Sequence, residues 1–276
     1  MLCISARHLA FLNPANSTYY SAIASTHLHH ALSGFRAGIQ EQGVSVKNVD
    51  VFMMTALLLQ FELWIDVDNL HKEYDPAKDS IFAYSASLKA TLLECFEPGD
   101  VQYSTVMTHL TRDEIVAGND GMSAAELAEY RAYFDTAQDL TVDKLSLPVI
   151  SQSGTPHNLS DPTDNAKSED LSPYSSVIER LAYLLVVLPS TSMDSAPTSL
   201  KIARRILCFP ILCRGAFATK VACSDPHALL ILYHFFRATR ILLDGDDFWW
   251  AKKRAGVVED ALERWLRKRC VNSKAV

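Results

Sequence analysis

Apolar residues recur at helical spacing in several long segments of the chain, and sustained strand-like alternation is missing. The clearest segment is DPHALLILYHFFRATRILLDGDDFWW, from Asp225 to Trp250. Between Ala228 and Leu243, apolar side chains cover nearly the whole helix circumference, which is typical of a helix buried among other helices. Because a carboxylate caps free amide groups and proline suits the first helical position, Asp225 and Pro226 predict its start. We therefore predict that this segment is the central helix.

Similar spacing predicts further helices on both sides of this segment. A long helix is expected from about Ser17 to Gly43, and a strongly apolar one from Asn48, its predicted cap, to Asp66. A hydroxyl three residues before a carboxylate predicts capping boxes at Thr111–Glu114 and Ser123–Glu126. The other predicted helices end near Asn13 or run from Asp75 toward Glu97, from Tyr174 to Leu188, from Ser199 to Ala222 and from Asp247 to Cys270.

These elements predict an all-α fold: a single multi-helix domain over residues 1–276 that buries its hydrophobic central helix near the C-terminus. Residues 151–172 are rich in Ser, Asp, Asn, Pro and Thr, so we expect a flexible insert there. No apolar run is long enough to span a bilayer, and the N-terminus lacks a signal-peptide layout.

The net charge of −6 makes the chain as a whole a poor nucleic-acid-binding surface. Basic residues nevertheless crowd its end. They predict the solvated face of the last helix, with a docking patch for an acidic partner as the alternative. These residues are Lys252, Lys253, Arg254, Arg264, Arg267, Lys268 and Arg269.

The six cysteines, the first of which is Cys3, are not spaced as zinc ligands, so no metal or other cofactor is predicted. His27 and His30 share one helix face, but two histidines do not make a zinc site. Basic neighbours would favour a lowered thiol pKa at Cys208, Cys213 and Cys223. Since no sequence context marks a histidine partner for these thiols, no enzyme activity is predicted.

Two sets of residues carry a resemblance to a known family. One is Phe209-Pro210 followed by DPHALLILYHFF, a short loop, FWW and a final helix; the other is HHALSGFRAGI followed by VDVFMMTALLLQFELW. Together they resemble the C-terminal regulatory domain of fungal zinc-cluster transcription factors, and the sterol uptake control proteins are the most similar subgroup in appearance. The resemblance covers the chain from about Ala6 to Leu266.

The resemblance implies an α-helical transcription regulator, in the nucleus and cytoplasm, that encloses an apolar ligand such as a sterol and pairs with a second copy or a partner regulator. The cysteine spacing excludes the family's DNA-binding zinc cluster, so no direct DNA contact is expected from this chain. The alternative is a stand-alone binder, carrier or enzyme for a lipophilic, terpenoid-like metabolite in a biosynthetic pathway.

Candidate ligand contacts are large apolar side chains on two predicted buried helices, together with one histidine. Their ligand role follows from the resemblance, and ordinary core packing is the alternative. His227, His234 and Arg237 form the polar stripe of the central helix, which would face another helix or a water-filled gap, or receive a ligand hydroxyl. The candidates are Met53, Met54, Leu57, Phe61, Trp64, His234, Phe235, Phe236 and Leu242.

Overall fold

The part of the chain that the structure describes is built from helices. α-Helices and short 3-10 helices form in it, and no β-strand occurs among the described residues. The predicted all-α fold is therefore confirmed. The computed structural model describes residues 1–45, 47–67, 70, 74–75, 78–82, 84–85, 105, 122–135, 141–148, 174–188, 196–213 and 215–273.

The helix bounds agree with most of the predicted segments. Of the predicted helix from Asp75 toward Glu97, only a few residues are described, and 80–82 and 84–85 are helical. The predicted Thr111–Glu114 capping box and the predicted insert at 151–172 lie outside the described residues. The α-helices are α1 Leu2–Leu12, α2 Ser17–Gln42, α3 Val49–Ile65, α4 Ala124–Asp135, α5 Ser175–Val187, α6 Ala196–Leu212, α7 Ala216–Ala222, α8 Pro226–Leu242 and α9 Trp249–Ser273, with 3-10 helices at Pro14–Asn16, Val142–Leu145 and Asp246–Phe248.

Helix α8 lies at the centre of the main core, as its apolar circumference predicts. Its neighbours include α5, α6, α7 and α9. The Asp225 carboxylate caps it by accepting hydrogen bonds from the amides of His227 and Ala228, at 3.1 and 3.0 Å. Phe235 stacks on Phe209 of α6 with 3.9 Å between ring centroids. The predicted central helix and its cap are therefore present.

The two other described caps differ in outcome. The Ser123–Glu126 capping box is confirmed, because the Ser123 amide donates to Glu126 Oε2 at 2.7 Å and the Glu126 amide donates to Ser123 Oγ at 3.2 Å. Asn48 is the N-cap residue of α3, as predicted, but its side chain makes no hydrogen bond to the amides of the first turn. Asn48 Oδ1 accepts from the Ser45 amide at 2.8 Å, and its Nδ2 donates to the Gly43 carbonyl at 3.0 Å. The Asn48 side chain thus bonds to the short α2–α3 connection, so it does not bond to the free amides at the start of α3.

The helix predicted from Ser199 to Ala222 is two helices. Gly215 lies between α6 and α7 with φ +58°, in the left-handed region that glycine adopts at little cost. Pro210 lies in the last turn of α6 and lacks the amide hydrogen that a continuing helix uses. The helix is therefore interrupted between α6 and α7, although the apolar spacing of the sequence continues through this point.

The basic face of α9 is solvated as predicted, with one correction. Lys252, Lys253 and Arg267 are exposed, as are the other basic residues of the group apart from Arg254. Arg254 is fully buried and bonded to the far end of α3: its Nη1 donates to the carbonyls of Leu63 and Asp66, at 2.7 and 3.0 Å. Its Nη2 pairs with the buried carboxylate of Asp79. The prediction of a solvated position is wrong for Arg254, because these partners supply the bonds that water would give.

Candidate functional site

Helices α1, α2 and α3 line a half-open cavity of about 460 Å³, here called the N-terminal cavity. Its volume lies in the range of small-molecule sites in proteins. Its lining is mostly apolar and includes Leu28 and Phe35 from α2 and Phe52 and Leu59 from α3. Such a cavity matches a ligand of largely apolar surface.

Helical spacing explains how these side chains reach one space. On α3, Phe52, Thr55, Leu59 and Glu62 follow each other at three- or four-residue steps, so they share one face. The α2 lining follows the same steps and includes Gly38. A side chain at Gly38 would come within 3.3 Å of the Phe52 ring, so glycine lets α2 approach α3 closely at this point.

A buried ion pair joins α1 to α3 at this cavity. Arg7 Nε donates to Glu62 Oε1 at 2.6 Å, and the two side chains are 17% and 3% exposed. Burial, followed by the charge of Glu62, raises the pKa of the Cys3 thiol to about 12, so this lining residue stays protonated. The carboxylate of the lining is therefore paired with a cation.

The C-terminal half of α1 packs against the start of α9. The ring of Trp249 stacks against His8 and Phe11, with centroid distances of 5.2 and 5.5 Å. Helix α1 thus lines the cavity with Cys3 and Ile4, and it contacts Trp249 of α9 with His8 and Phe11. A movement of α1 would therefore change both the shape of the cavity and the contact with Trp249.

None of the nine predicted ligand residues is among those that line the N-terminal cavity. The structure brings Trp64, Phe235 and Phe236 together in the main core, where the Trp64 ring lies 6.2 and 6.1 Å from the two phenylalanine rings. The ligand role of the nine residues stays a prediction. Met53 and Leu242 are buried, Leu57 and Phe61 are half-buried, and Met54 is exposed.

Sequence reasoning did not select the cavity residues on α2 or Glu62 on α3. Helix α3 is apolar on nearly every side, so its periodicity does not indicate which face meets which neighbour. Glu62, a lone glutamate inside this apolar segment, is the one signal of the site in the sequence, because a charged group is rarely buried without a partner.

Two members of the polar stripe of α8, His234 and Arg237, face a 3-10 helix, in agreement with the first predicted environment, whereas His227 stacks on Tyr174. His234 is fully buried, and its Nε2 lies 2.9 Å from the carbonyl of Lys144. Because a carbonyl only accepts, Nε2 carries the proton in the neutral ring. Tyr233 and Arg237 both donate to the neighbouring carbonyl of Leu145, at 3.1 and 2.6 Å. These bonds fasten residues 142–145 to the central helix.

The buried imidazole of His234 should make the fold sensitive to acid. Burial lowers the pKa of His234 to about 4, against 6.5 for an unperturbed histidine, and the positive charges of Arg237 and Lys144 act in the same direction. As pH falls below 6.5 the unfolded chain takes up a proton that the folded chain refuses. We expect the free energy of unfolding to drop by about 3 kcal/mol between pH 6.5 and 4 from this group.

Urea unfolding of the wild type and of His234→Gln across this pH range tests the expectation. Glutamine can donate to the Lys144 carbonyl but does not titrate, so the difference in stability between the two proteins should shrink toward pH 4. A difference that stays constant with pH would show that His234 does not carry the acid sensitivity.

The remaining sequence-based predictions concern thiol reactivity, metal binding and membrane spans. Burial raises the pKa of the Cys213 thiol well above its ordinary value, so the lowering considered for this residue does not occur. Among the described residues, no group of three or more His, Cys, Asp or Glu side chains is placed to hold a metal ion. Nor does any described helix combine the length and apolar character needed to cross a bilayer.

Comparisons of the chain with protein-family models, with curated proteins and with solved structures find no match.

Proposed function

We propose that this protein is a ligand-responsive regulator in transcription control, of the fungal zinc-cluster activator type, and that it binds an apolar small molecule such as a sterol in the N-terminal cavity. The observation that carries the proposal is the cavity itself, mostly apolar and about 460 Å³ in volume. Location in the nucleus and cytoplasm, and pairing with a second copy or a partner regulator, are parts of the same proposal.

The position of the N-terminal resemblance supports it. The segment HHALSGFRAGI lies in α2 and contributes Ala31, Gly34 and Phe35 to the lining. The segment VDVFMMTALLLQFELW lies in α3 and contributes Phe52 and Leu59. The two segments that carry this part of the resemblance therefore form two walls of one cavity.

A ligand between α1, α2 and α3 has a route to the rest of the fold. A molecule that fits one spacing of these helices better than another favours that arrangement by its difference in affinity. Since α1 also stacks on Trp249, its position is coupled to the start of α9. The proposed response is a shift of α1 against α3 and α9.

Ergosterol is expected to raise the melting temperature of the purified protein in a saturable way. A ligand at 100 times its Kd adds about 2.7 kcal/mol of stability. For a domain of this size that corresponds to a rise of about 5–10 °C. Differential scanning fluorimetry measures the rise, and mass spectrometry of extracted lipids identifies a ligand already bound.

Gly34 offers a matched pair of variants for this test. A side chain begun at Gly34 meets no atom within 4 Å, so Gly34→Phe should fill cavity space and abolish the ergosterol effect, whereas Gly34→Ala should keep it. An empty wild type with no response to ergosterol would contradict sterol binding. Equal responses in all three proteins would place the site elsewhere.

A reporter assay separates regulation from simple carriage. Fused to an unrelated DNA-binding domain, the chain should change reporter transcription with sterol supply, and the fusion with Gly34→Phe should not. Constant output from a protein that binds sterol would favour a stand-alone carrier.

A further inference from the structure

Glu62 presents an unused acceptor at the N-terminal cavity. Its side chain is 3% exposed and belongs to the cavity lining. Arg7 occupies only Oε1. In the part of the chain that the structure describes, the other oxygen, Oε2, is buried without a hydrogen-bond partner. Leaving a buried carboxylate oxygen unpaired is costly, so a group that donates to it would gain affinity.

The neighbouring side chains do not supply a strong hydrogen-bond donor to Glu62 Oε2. The Cys3 thiol is hydrogen-bonded to the Glu62 carboxylate, but a protonated thiol is only a weak donor, so a hydroxyl is the stronger partner. The hydroxyl of Thr55, which also lines the cavity, already donates to the carbonyl of Val51 at 2.8 Å. Neither Cys3 nor Thr55 therefore gives Oε2 a strong donor, and a bound molecule can supply one.

The charge balance selects the kind of donor. The guanidinium of Arg7 already neutralises the Glu62 carboxylate, so an ammonium would bring an unbalanced positive charge into an apolar cavity. A ligand carboxylate or ketone has no hydrogen to donate, and its oxygen would be repelled by the lone pairs of Oε2. A neutral hydroxyl meets both conditions.

We propose that the N-terminal cavity takes a largely apolar alcohol whose hydroxyl donates a hydrogen bond to Glu62 Oε2. This inference rests on the proposed function, because it names the polar anchor of the ligand in the same cavity. Glu62 then has two tasks: Oε1 holds α1 through Arg7, and Oε2 orients the ligand. A molecule of the same shape without the hydroxyl hydrogen fits the apolar walls but not the anchor.

The test uses cyclododecanol and cyclododecanone, which share one ring size and differ in whether their oxygen carries a hydrogen. Isothermal titration calorimetry on the full chain should give a Kd for the alcohol that is about 10- to 100-fold lower than that for the ketone. In Glu62→Gln this preference should shrink or reverse, since an amide can donate to the ketone. In Thr55→Val it should persist, because the Thr55 hydroxyl is already engaged within α3.

The outcomes separate this inference from the function on which it rests. Equal affinity of the wild type for alcohol and ketone, or a preference for the ketone, would overturn the hydroxyl anchor and leave an apolar binding cavity. An unchanged preference in a folded Glu62→Gln would overturn the role of Glu62. Binding of neither probe would overturn the anchor, and a flat ergosterol titration beside it would also overturn the proposed function. If Glu62→Gln fails to fold, the wild-type comparison still decides whether a hydroxyl is preferred.

Discussion

Replacement of both Phe235 and Phe236 by aspartate is expected to prevent the domain from folding. Both rings are fully buried in α8, and Trp64 packs against both of them. Truncating one buried phenylalanine costs about 3–5 kcal/mol, and an unpaired charge in its place costs more. Two such changes exceed the 5–15 kcal/mol that typically stabilises a folded protein. Far-UV circular dichroism and thermal unfolding would report the loss.

A graded variant and an exposed control make this expectation sharper. Phe235→Ala alone should lower the free energy of unfolding by about 3–5 kcal/mol in a urea titration. Leu200→Asp also puts an aspartate in an apolar helical position, but Leu200 is 67% exposed, so its effect should stay within about 0.5 kcal/mol. An unchanged melting temperature in the double aspartate variant would mean that α8 is not the core helix.

Arg254→Ala should destabilise the protein by about 3–5 kcal/mol, because it leaves the buried Asp79 carboxylate without its cation. It also removes the donors to the carbonyls of Leu63 and Asp66, which end α3. Part of the Asp79 carboxylate stays bonded, since the Tyr74 hydroxyl donates to Oδ2 at 2.8 Å. Equilibrium urea unfolding measures the change.

Two further variants decide whether the effect comes from an unpaired buried charge. Arg254→Met combined with Asp79→Leu should be more stable than Arg254→Ala, because both charges are gone and apolar volume replaces them. Arg267→Ala breaks the exposed pair with Glu263 on the same helix and should cost less than about 1 kcal/mol. Equal losses in Arg254→Ala and Arg267→Ala would contradict a special role for the buried pair.

Local signals in the sequence are enough to predict most of the described helices and several of their ends. The Asp225 cap and the Ser123–Glu126 box involve groups two or three residues apart, so their chemistry is readable from the chain alone. The apolar circumference of α8 likewise predicts its burial. The break at Gly215 was missed because apolar spacing continues through it, and spacing carries no information about φ.

Long-range pairing accounts for what the sequence did not predict. Arg254 and Asp79 are 175 residues apart, so nothing beside Arg254 marks it as buried. The N-terminal cavity depends on how α1 and α2 lie against α3, which no local pattern specifies. Eight of the nine predicted ligand residues are large apolar side chains, and apolar character alone does not separate the face of α3 toward the main core from its face toward the cavity.

The unequal burial of α2 and α8 has a consequence for amide hydrogen exchange. Among the described side chains, α2 fully buries only that of Ala24, whereas α8 is buried along most of its length. Amides of α8 should therefore exchange with deuterium only when the whole domain unfolds, while those of α2 exchange through local opening. A ligand in the N-terminal cavity would then slow deuterium uptake mainly in α2, where the free protein has protection left to gain.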